Sequence, residues 1–356
     1  MKALFFLNSF AGGGAERVCL NLAKQLYKCN IESEFITIYN KEPDYDIPNY
    51  VHVFSLEIED RPGECVEIIM AIPKVNAFIS NKEYVLITAH LQPSYLLASL
   101  TKVGKKTLYV VHNRWIGVNC YNSWVYAMGL KVILYRKKIV TVSKGLENEL
   151  INKFGINTKD IISIYNPCDV VDLKSKIKLC RMHARPYILV MGRLVDAKNP
   201  LLALELYNQG KFYDQYDLIY IGKGPLEKSL RDRIYDYKLQ DYVYLLGFQK
   251  NPESWIMNAE LLLACSRYEG FSMNLVEALI CRTPVVAADC PYGPNEILEG
   301  ELAKYLISPE EDIKKSISII SSALKSYPTI TEKYYERFED ELITNTYLKV
   351  WENNFK

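Results

Sequence analysis

Apolar residues along this chain gather in short continuous runs, and amphipathic stretches separate the runs. In the first half the runs fall at 3–7, 35–39, 85–89, 108–111, 139–142 and 161–165, with helical periodicity at 16–27 and 95–100. A near-continuous apolar run bounded by turn signals suits a strand buried on both faces, and alternation with helices predicts a parallel sheet covered on both sides. Asn166-Pro167 interrupts the pattern, and 172–185 is charged and aperiodic. A second alternation follows, with strands expected at 187–191, 218–221, 243–246, 261–264 and 284–288. The expected fold is therefore α/β, with two doubly wound, Rossmann-like domains: 1–168, then a linker over 169–185, then 186–330. A last helix over 331–355 is expected to pack back towards the first domain. Ligands belong at the C-terminal ends of the strands and in a central cleft between domains.

The length of 356 residues agrees with two domains of roughly 150 residues each. With 43 basic and 42 acidic residues the net charge is +1, which argues against a general nucleic-acid binder. The nine cysteines form no CxxC pair or metal-finger spacing, so they read as core thiols of a reducing, cytoplasmic compartment. The apolar run at 3–7 is too short for a signal-peptide core, and no stretch reaches 18 apolar residues.

Candidate chemistry clusters where strands end. Gly13 and Gly14 follow the first strand and open a helix, where backbone amides can approach a phosphate or a sugar. Arg17 stands where a dinucleotide fingerprint needs its third glycine, and no GxxxxGK[ST] occurs. In the second half, Gly192-Arg193 and Lys198 put two cations in one strand-to-helix loop, and Gly222-Lys223-Gly224-Pro225 repeats the turn one strand later. A guanidinium, an ammonium and a helix N-terminus can together stabilise a diphosphate that gains charge as it leaves. The stretch 267–279 places Glu269 in a loop and Glu277 in a helix, around Gly270, Phe271, Ser272 and Met273, with Ser272 as the expected N-cap. Asp44-Tyr45-Asp46 has the form of a metal-binding DxD but reads as a solvated loop between Pro43 and Pro48.

Glu269 and Glu277, eight positions apart, occur together with Gly192-Arg193, Lys198, Gly222-x-Gly224-Pro225, Gly247-Phe248 and Thr283-Pro284-Val285-Val286. With the Gly13-to-Arg17 loop and Asn166-Pro167-Cys168-Asp169, this set resembles the retaining family-4 glycosyltransferases of the GT-B architecture over nearly the whole chain. The run from Asp289 to Leu298 resembles a branch that assembles lipid-linked and surface oligosaccharides. The resemblance implies a nucleotide-sugar donor, with UDP preferred, and a hydroxyl of a lipid-linked or surface-glycan saccharide as acceptor. It implies that Arg193 and Lys198 hold the donor diphosphate, that Glu277 accepts bonds from ribose hydroxyls and that Glu269 lies near the donor sugar. The amides of Gly270, Phe271, Ser272 and Met273 would meet sugar or phosphate oxygens, and Gly13, Gly14, Gly192 and Gly222 would line the donor. Phe248 and Gln249 would run along the nucleobase. His112 matches a cleft histidine near the transferred sugar, whereas His52, His90 and His183 are assigned no role. Such enzymes are read as needing no metal and no cofactor, the leaving diphosphate itself taking the acceptor proton. An epimerase on the same fold and a non-catalytic nucleotide-sugar binder are the competing readings.

Between Glu83 and Glu147 there is no acidic residue, whereas Lys102, Lys105, Lys106, Arg114, Lys131, Arg136, Lys137, Lys138 and Lys144 give +9. Trp115, Tyr121, Trp124, Tyr126 and Tyr135 lie among them, so an anionic membrane surface is expected as a partner, with peripheral attachment at its cytoplasmic face.

Overall fold

A computed structural model describes all residues except 12, 44–45, 62–63, 116–122, 179, 309–311 and 356. The chain divides into two compact units, one of Met1–Cys168 with Phe338–Lys356, the other of Asp169–Arg337.

The first unit runs β1 (Lys2–Leu7), α1 (Gly14–Lys28), β2 (Glu32–Tyr39), β3 (Val51–Ile58), α2 (Cys65–Met70), α3 (Ile72–Ile79), β4 (Tyr84–His90) and α4 (Ser94–Leu100). It continues with β5 (Leu108–Val111), α5 (Ser123–Ile133), β6 (Lys138–Thr141), α6 (Lys144–Phe154) and β7 (Ile161–Ser163). The sheet order is β3-β2-β1-β4-β5-β6-β7, and every pairing is parallel. Residues Ala3 to Leu7 are fully buried because β1 is central and covered on both faces. In α1, Val18, Cys19, Leu22, Ala23 and Leu26 make the buried stripe, at helical spacing. The helix α6 has both its ends specified locally, by the Ser143 hydroxyl accepting from the Leu146 amide and by Gly155 in the left-handed region at φ 62°.

The second unit holds α7 (Val170–Lys176), β8 (Tyr187–Met191), α8 (Pro200–Gln209), β9 (Asp217–Ile221), α9 (Glu227–Asp236), β10 (Val243–Leu245) and α10 (Glu253–Met257). After these come β11 (Leu261–Ala264), α11 (Met273–Ile280), β12 (Val285–Ala288), α12 (Pro294–Ile297), β13 (Leu306–Ile307) and α13 (Ile313–Lys325). Its order is β10-β9-β8-β11-β12-β13, again wholly parallel. The chain ends in α14 (Asp340–Phe355), which packs on α1 and β4 of the first unit. Trp351 anchors it by donating to the Lys106 carbonyl at 2.7 Å, and Gln25 donates to Asp340.

Two expectations change. The span 169–185 is not simply a connector: the Asp169 side chain caps the Asp172 amide at 2.8 Å and starts α7, whose Val170 and Leu173 are buried while its charged residues face solvent. The segment 331–355 is not one helix either, because two 3₁₀ turns, Glu332–Tyr334 and Glu336–Phe338, precede α14. There the chain re-enters the first unit, the Cys168 amide donating to the Phe338 carbonyl at 2.8 Å and the Asp340 amide to that of Cys168 at 3.2 Å.

Candidate functional site

In each sheet the strand order reverses at one place, between β1 and β4 and between β8 and β11, and crevices for ligands form there at the carboxyl ends of the strands. The loops that carry most of the candidate residues leave from these strands and their neighbours.

In the second unit the loops after β8, β9 and β10 are joined backbone to backbone. The Gly192 amide donates to the Ile221 carbonyl, Leu194 to Lys223, and Gly222 to Gly247, at 2.8 to 2.9 Å. Gly222 sits at φ 143°, and a Cβ on it would lie 1.9 Å from the Gly192 carbonyl oxygen; one on Gly224 would lie 2.3 Å from that of Leu194. Only glycine permits this approach, and that is the physical content of the Gly222-x-Gly224 spacing. The loop after β8 is tied in the same way to the one after β11: the Arg267 amide donates to the Ala197 carbonyl at 2.9 Å, and Asn274 Nδ2 to that of Met191 at 3.1 Å.

Lys198 and Glu269 meet across these two loops, with Nζ 2.5 Å from Oε1, and the Ser266 hydroxyl donates to the same carboxylate oxygen at 2.6 Å. The Glu269 side chain is only 8% exposed. Arg193 is exposed and has no ion pair among the described residues, so its guanidinium is available to a ligand. With Lys198, Ser266 and Asn274 it lines a hollow at the ends of β8 and β11. Ser272 precedes α11 as expected but caps nothing: its hydroxyl is buried and without a partner, as is Oδ1 of Asn274. Two buried polar atoms with unmet hydrogen-bonding capacity in one helix start are unfavourable in an empty fold and suit a polar ligand. Gly270 and Phe271 are buried beside them, Met273 is half-buried, and Gly293 at φ 103° lies against the Phe271–Ser272 backbone. Glu277 is buried in α11 one turn beyond Met273. Phe248, 62% exposed, and Gln249, which donates to the Leu246 carbonyl at 3.0 Å, follow β10. Cys265 and Cys290 also lie here, and burial pushes each thiol up to about 12, with the Glu269 charge adding to the rise at Cys290. Both are neutral thiols at pH 7 and poor nucleophiles.

In the first unit, Gly13 is the N-cap of α1, in extended backbone, and Gly14 has open space around it. A Cβ on Gly13 would lie 2.3 Å from Oε2 of Glu16, whose carboxylate folds back over the helix start. That end of α1 is thus already supplied with a negative charge, which favours a sugar hydroxyl over a phosphate at Gly14. His112, which follows β5, is buried, and its Nε2 lies 2.8 Å from Nδ1 of His90 at the end of β4. Nε2 of His90 is 2.9 Å from the Thr88 hydroxyl. Burial lowers both rings' pKa, that of His112 to about 3, so both are neutral. His90, Ser266 and Asn274 had no signal of their own in the sequence, because a buried strand end and a loop serine look the same with or without a neighbour.

The basic first-unit segment is less uniform than its composition. Trp115 is buried against Phe154 at a ring separation of 5.0 Å and cannot anchor at an interface. Lys138 pairs with Asp160 at 3.1 Å, and Lys137 donates to the Gly104 carbonyl at 3.2 Å. Lys102, Lys105, Lys106 and Arg136 are exposed, as are Leu100, Met128, Val132 and Tyr135. The side chains of Tyr121, Trp124 and Tyr126, like Asp44 of the DxD, lie outside the described residues. Among the described residues no helix is long and apolar enough to cross a membrane.

Two parallel-sheet Rossmann-like domains, with glycine turns, paired cations and carboxylates at strand ends, define a two-domain α/β glycosyltransferase of the GT-B class. Residues 174–341 match the family model for glycosyl transferases group 1, and residues 12–172 match that for glycosyltransferase family 4. The chain belongs to the family-4 glycosyltransferases. It is 29% identical over 326 residues to the N-acetylgalactosamine-N,N'-diacetylbacillosaminyl-diphospho-undecaprenol 4-alpha-N-acetylgalactosaminyltransferase of Campylobacter jejuni, covering 87% of each chain. It is 22% identical to the amylovoran biosynthesis glycosyltransferase AmsD of Erwinia amylovora, covering 84% of each. Among solved structures, TarM of S. aureus in complex with Fondaparinux, alpha-GlcNAc-glycerol and UDP superposes with a TM-score of 0.76 at 14% identity, over 100% of this chain and 99% of that one. Anabaena HepE in complex with UDP-glucose does so with a TM-score of 0.69 at 20% identity, over 99% and 100%.

Proposed function

We propose that this glycosyltransferase moves a hexose or N-acetylhexosamine from a UDP-sugar to a hydroxyl of a lipid-linked or surface-glycan saccharide, with retention of configuration and without a metal. The observation that carries the reading is the exposed, unpaired Arg193 beside the Lys198–Glu269 pair, at the point where the second sheet reverses. A diphosphate there would take a bidentate guanidinium and an ammonium and accept from the buried Ser272 hydroxyl, while the buried Asn274 Oδ1 would accept from a sugar hydroxyl. Glu277 would accept from ribose hydroxyls, and Phe248 would lie along the base.

Charge accumulates on the leaving diphosphate, so Arg193 and Lys198 act as stabilisers of the transition state, and the diphosphate takes the acceptor proton on the same face. Glu269 is engaged by both Lys198 and Ser266, and as a nucleophile it would have to give up that pair. Its place in this reading is to orient Lys198 next to the donor sugar. The lipid-linked acceptor is supported by the name of the Campylobacter relative, and the uridine base by the ligands of the TarM and HepE structures. For the membrane, four exposed cations and the apolar side chains of α4 and α5, two helices in contact, offer a face for an anionic bilayer.

The test is incubation with a panel of sugar nucleotides, with and without an undecaprenyl-linked saccharide, reading released nucleoside diphosphate and the anomeric configuration of the product. Acceptor-dependent release of UDP with an α-linked product is expected. Conversion of the donor with no acceptor present would replace transfer by epimerisation.

A further inference from the structure

Three side chains form a closed line in the first unit: Thr88 Oγ1, 2.9 Å from His90 Nε2, and His90 Nδ1, 2.8 Å from His112 Nε2. Thr88 and His90, on β4, are fully buried and His112, just after β5, nearly so; the parallel register of β4 and β5 pairs His90 with Val110, two residues before His112. Phe5 lies over the His90 ring at a centroid separation of 6.3 Å, which holds its plane.

Each of the two contacts needs one proton, and the rings are neutral, so only two arrangements exist. In one, His112 donates to His90, and His90 donates to the Thr88 oxygen. The Thr88 hydroxyl proton is then buried with no acceptor, since His90 is the sole hydrogen-bond partner of that oxygen among the described residues. In the other, the Thr88 hydroxyl donates to His90 Nε2 and His90 Nδ1–H donates to His112 Nε2, so the two fully buried residues are satisfied and only Nδ1–H of the less buried His112 is left to find a partner. Leaving a buried donor unmet is unfavourable by more than a typical hydrogen bond contributes, so the second arrangement wins. It leaves His112 with its proton on Nδ1, the ring nitrogen that has no bond among the described residues.

We infer that Thr88 and His90 are positioning residues that lock His112 as the Nδ1–H tautomer, so that His112 meets a saccharide or phosphate oxygen as a hydrogen-bond donor and does not serve as the base. The inference rests on the glycosyl-transfer reading only for what His112 donates to. It agrees with a reaction in which the leaving diphosphate takes the acceptor proton, because a donor ring has no lone pair facing the substrate to compete for it.

The test is long-range ¹⁵N–¹H correlation on histidine-labelled wild-type protein, repeated on Thr88→Val and Thr88→Ser. Wild type is expected to show both His90 and His112 neutral with the proton on Nδ1. Thr88→Val removes the hydroxyl proton without changing the shape, so the two arrangements become comparable and the His112 signals move towards tautomer-averaged positions; Thr88→Ser restores them. Turnover should follow, with kcat about twofold lower in Thr88→Val, the donor KM unchanged, and recovery in Thr88→Ser. A proton on Nε2 of His112, a charged ring on either histidine, or Thr88→Val resonances identical to wild type would overturn the relay. These resonances read the relay whether or not transfer is detected, whereas absent acceptor-dependent release in folded wild type counts against the transfer reading alone.

Discussion

Arg193 and Lys198 illustrate how far a residue's neighbours redefine it. One is free and exposed, the other shared with Glu269, so their removal should differ in kind. Arg193→Ala loses a charge-assisted contact to the diphosphate, worth roughly 1.5 to 3 kcal/mol, and kcat/KM should fall about 10- to 150-fold with the thermal midpoint unchanged. Lys198→Ala should lose at least as much activity and some stability too, since it leaves the Glu269 carboxylate mostly buried beside Ser266 alone. Wild-type turnover in either folded variant would remove that residue from the diphosphate. Glu277→Gln should raise the donor KM with kcat little affected, an amide being a poorer acceptor for paired ribose hydroxyls. The histidine pair predicts a stability profile. Both rings are held neutral in the fold, His112 with its pKa near 3, against about 6.5 in an unfolded chain. Below pH 6.5 the unfolded chain binds protons that the fold refuses, so stability is complete above that pH and is lost as pH falls towards 3. Between pH 7 and 5 the loss from His112 is about 2 kcal/mol, with His90 acting in the same direction, measurable by urea unfolding at both pH values. A His90→Asn, His112→Asn double variant should show a flatter profile over the same interval.

The elements carry their own instructions unevenly. The central strands β1, β8 and β11 were legible because a strand covered on both faces must be an apolar run. The edge strand β3 was not, since its residues Val51 to Ile58 mix buried and exposed positions and imitate a loop. The helix α7 was masked in the same way by its charged solvent face, although Asp169 supplies its cap. Glycine turns sit between these cases: their spacing is visible, but the reason for it is a clash between loops far apart in sequence. Gly222→Ala would press a methyl group into the Gly192 carbonyl at a φ that L-residues rarely adopt, and should destabilise the second unit by about 3 kcal/mol or more. Gly14→Ala, in open space, should leave the midpoint within about 0.5 kcal/mol. Chemical denaturation of the pair side by side tests the contrast; equal stability would deny the loop interlock.

For the molecule as a whole, the resemblance read from ordered motifs was sufficient to indicate the family, which the match of both halves to glycosyltransferase models bears out. Net charge near zero said nothing about where charge collects. The exposed Lys102, Lys105, Lys106 and Arg136 predict co-sedimentation with anionic vesicles, at about 1 kcal/mol per cation, that declines with salt. Reversing those four charges should abolish it, and equal partitioning onto neutral vesicles would refute it. Transfer should also persist in EDTA, given cations at the diphosphate; loss restored by magnesium or manganese would overturn metal independence.

Short-range information sufficed for the buried central strands and the family motifs, because a run must be apolar to be buried, and it displayed the glycine spacings, although the clashes that require glycine at 222 and 224 come from a loop about 30 residues away. Which polar groups face one another was beyond it. The Lys198–Glu269 bond spans 71 residues and the His90–His112 bond 22, and both exist only because parallel strands set their ends side by side. Folding likewise buries Trp115, turns Lys138 to Asp160 and leaves Ser272 without a partner, since side-chain partners depend on the path of the whole backbone.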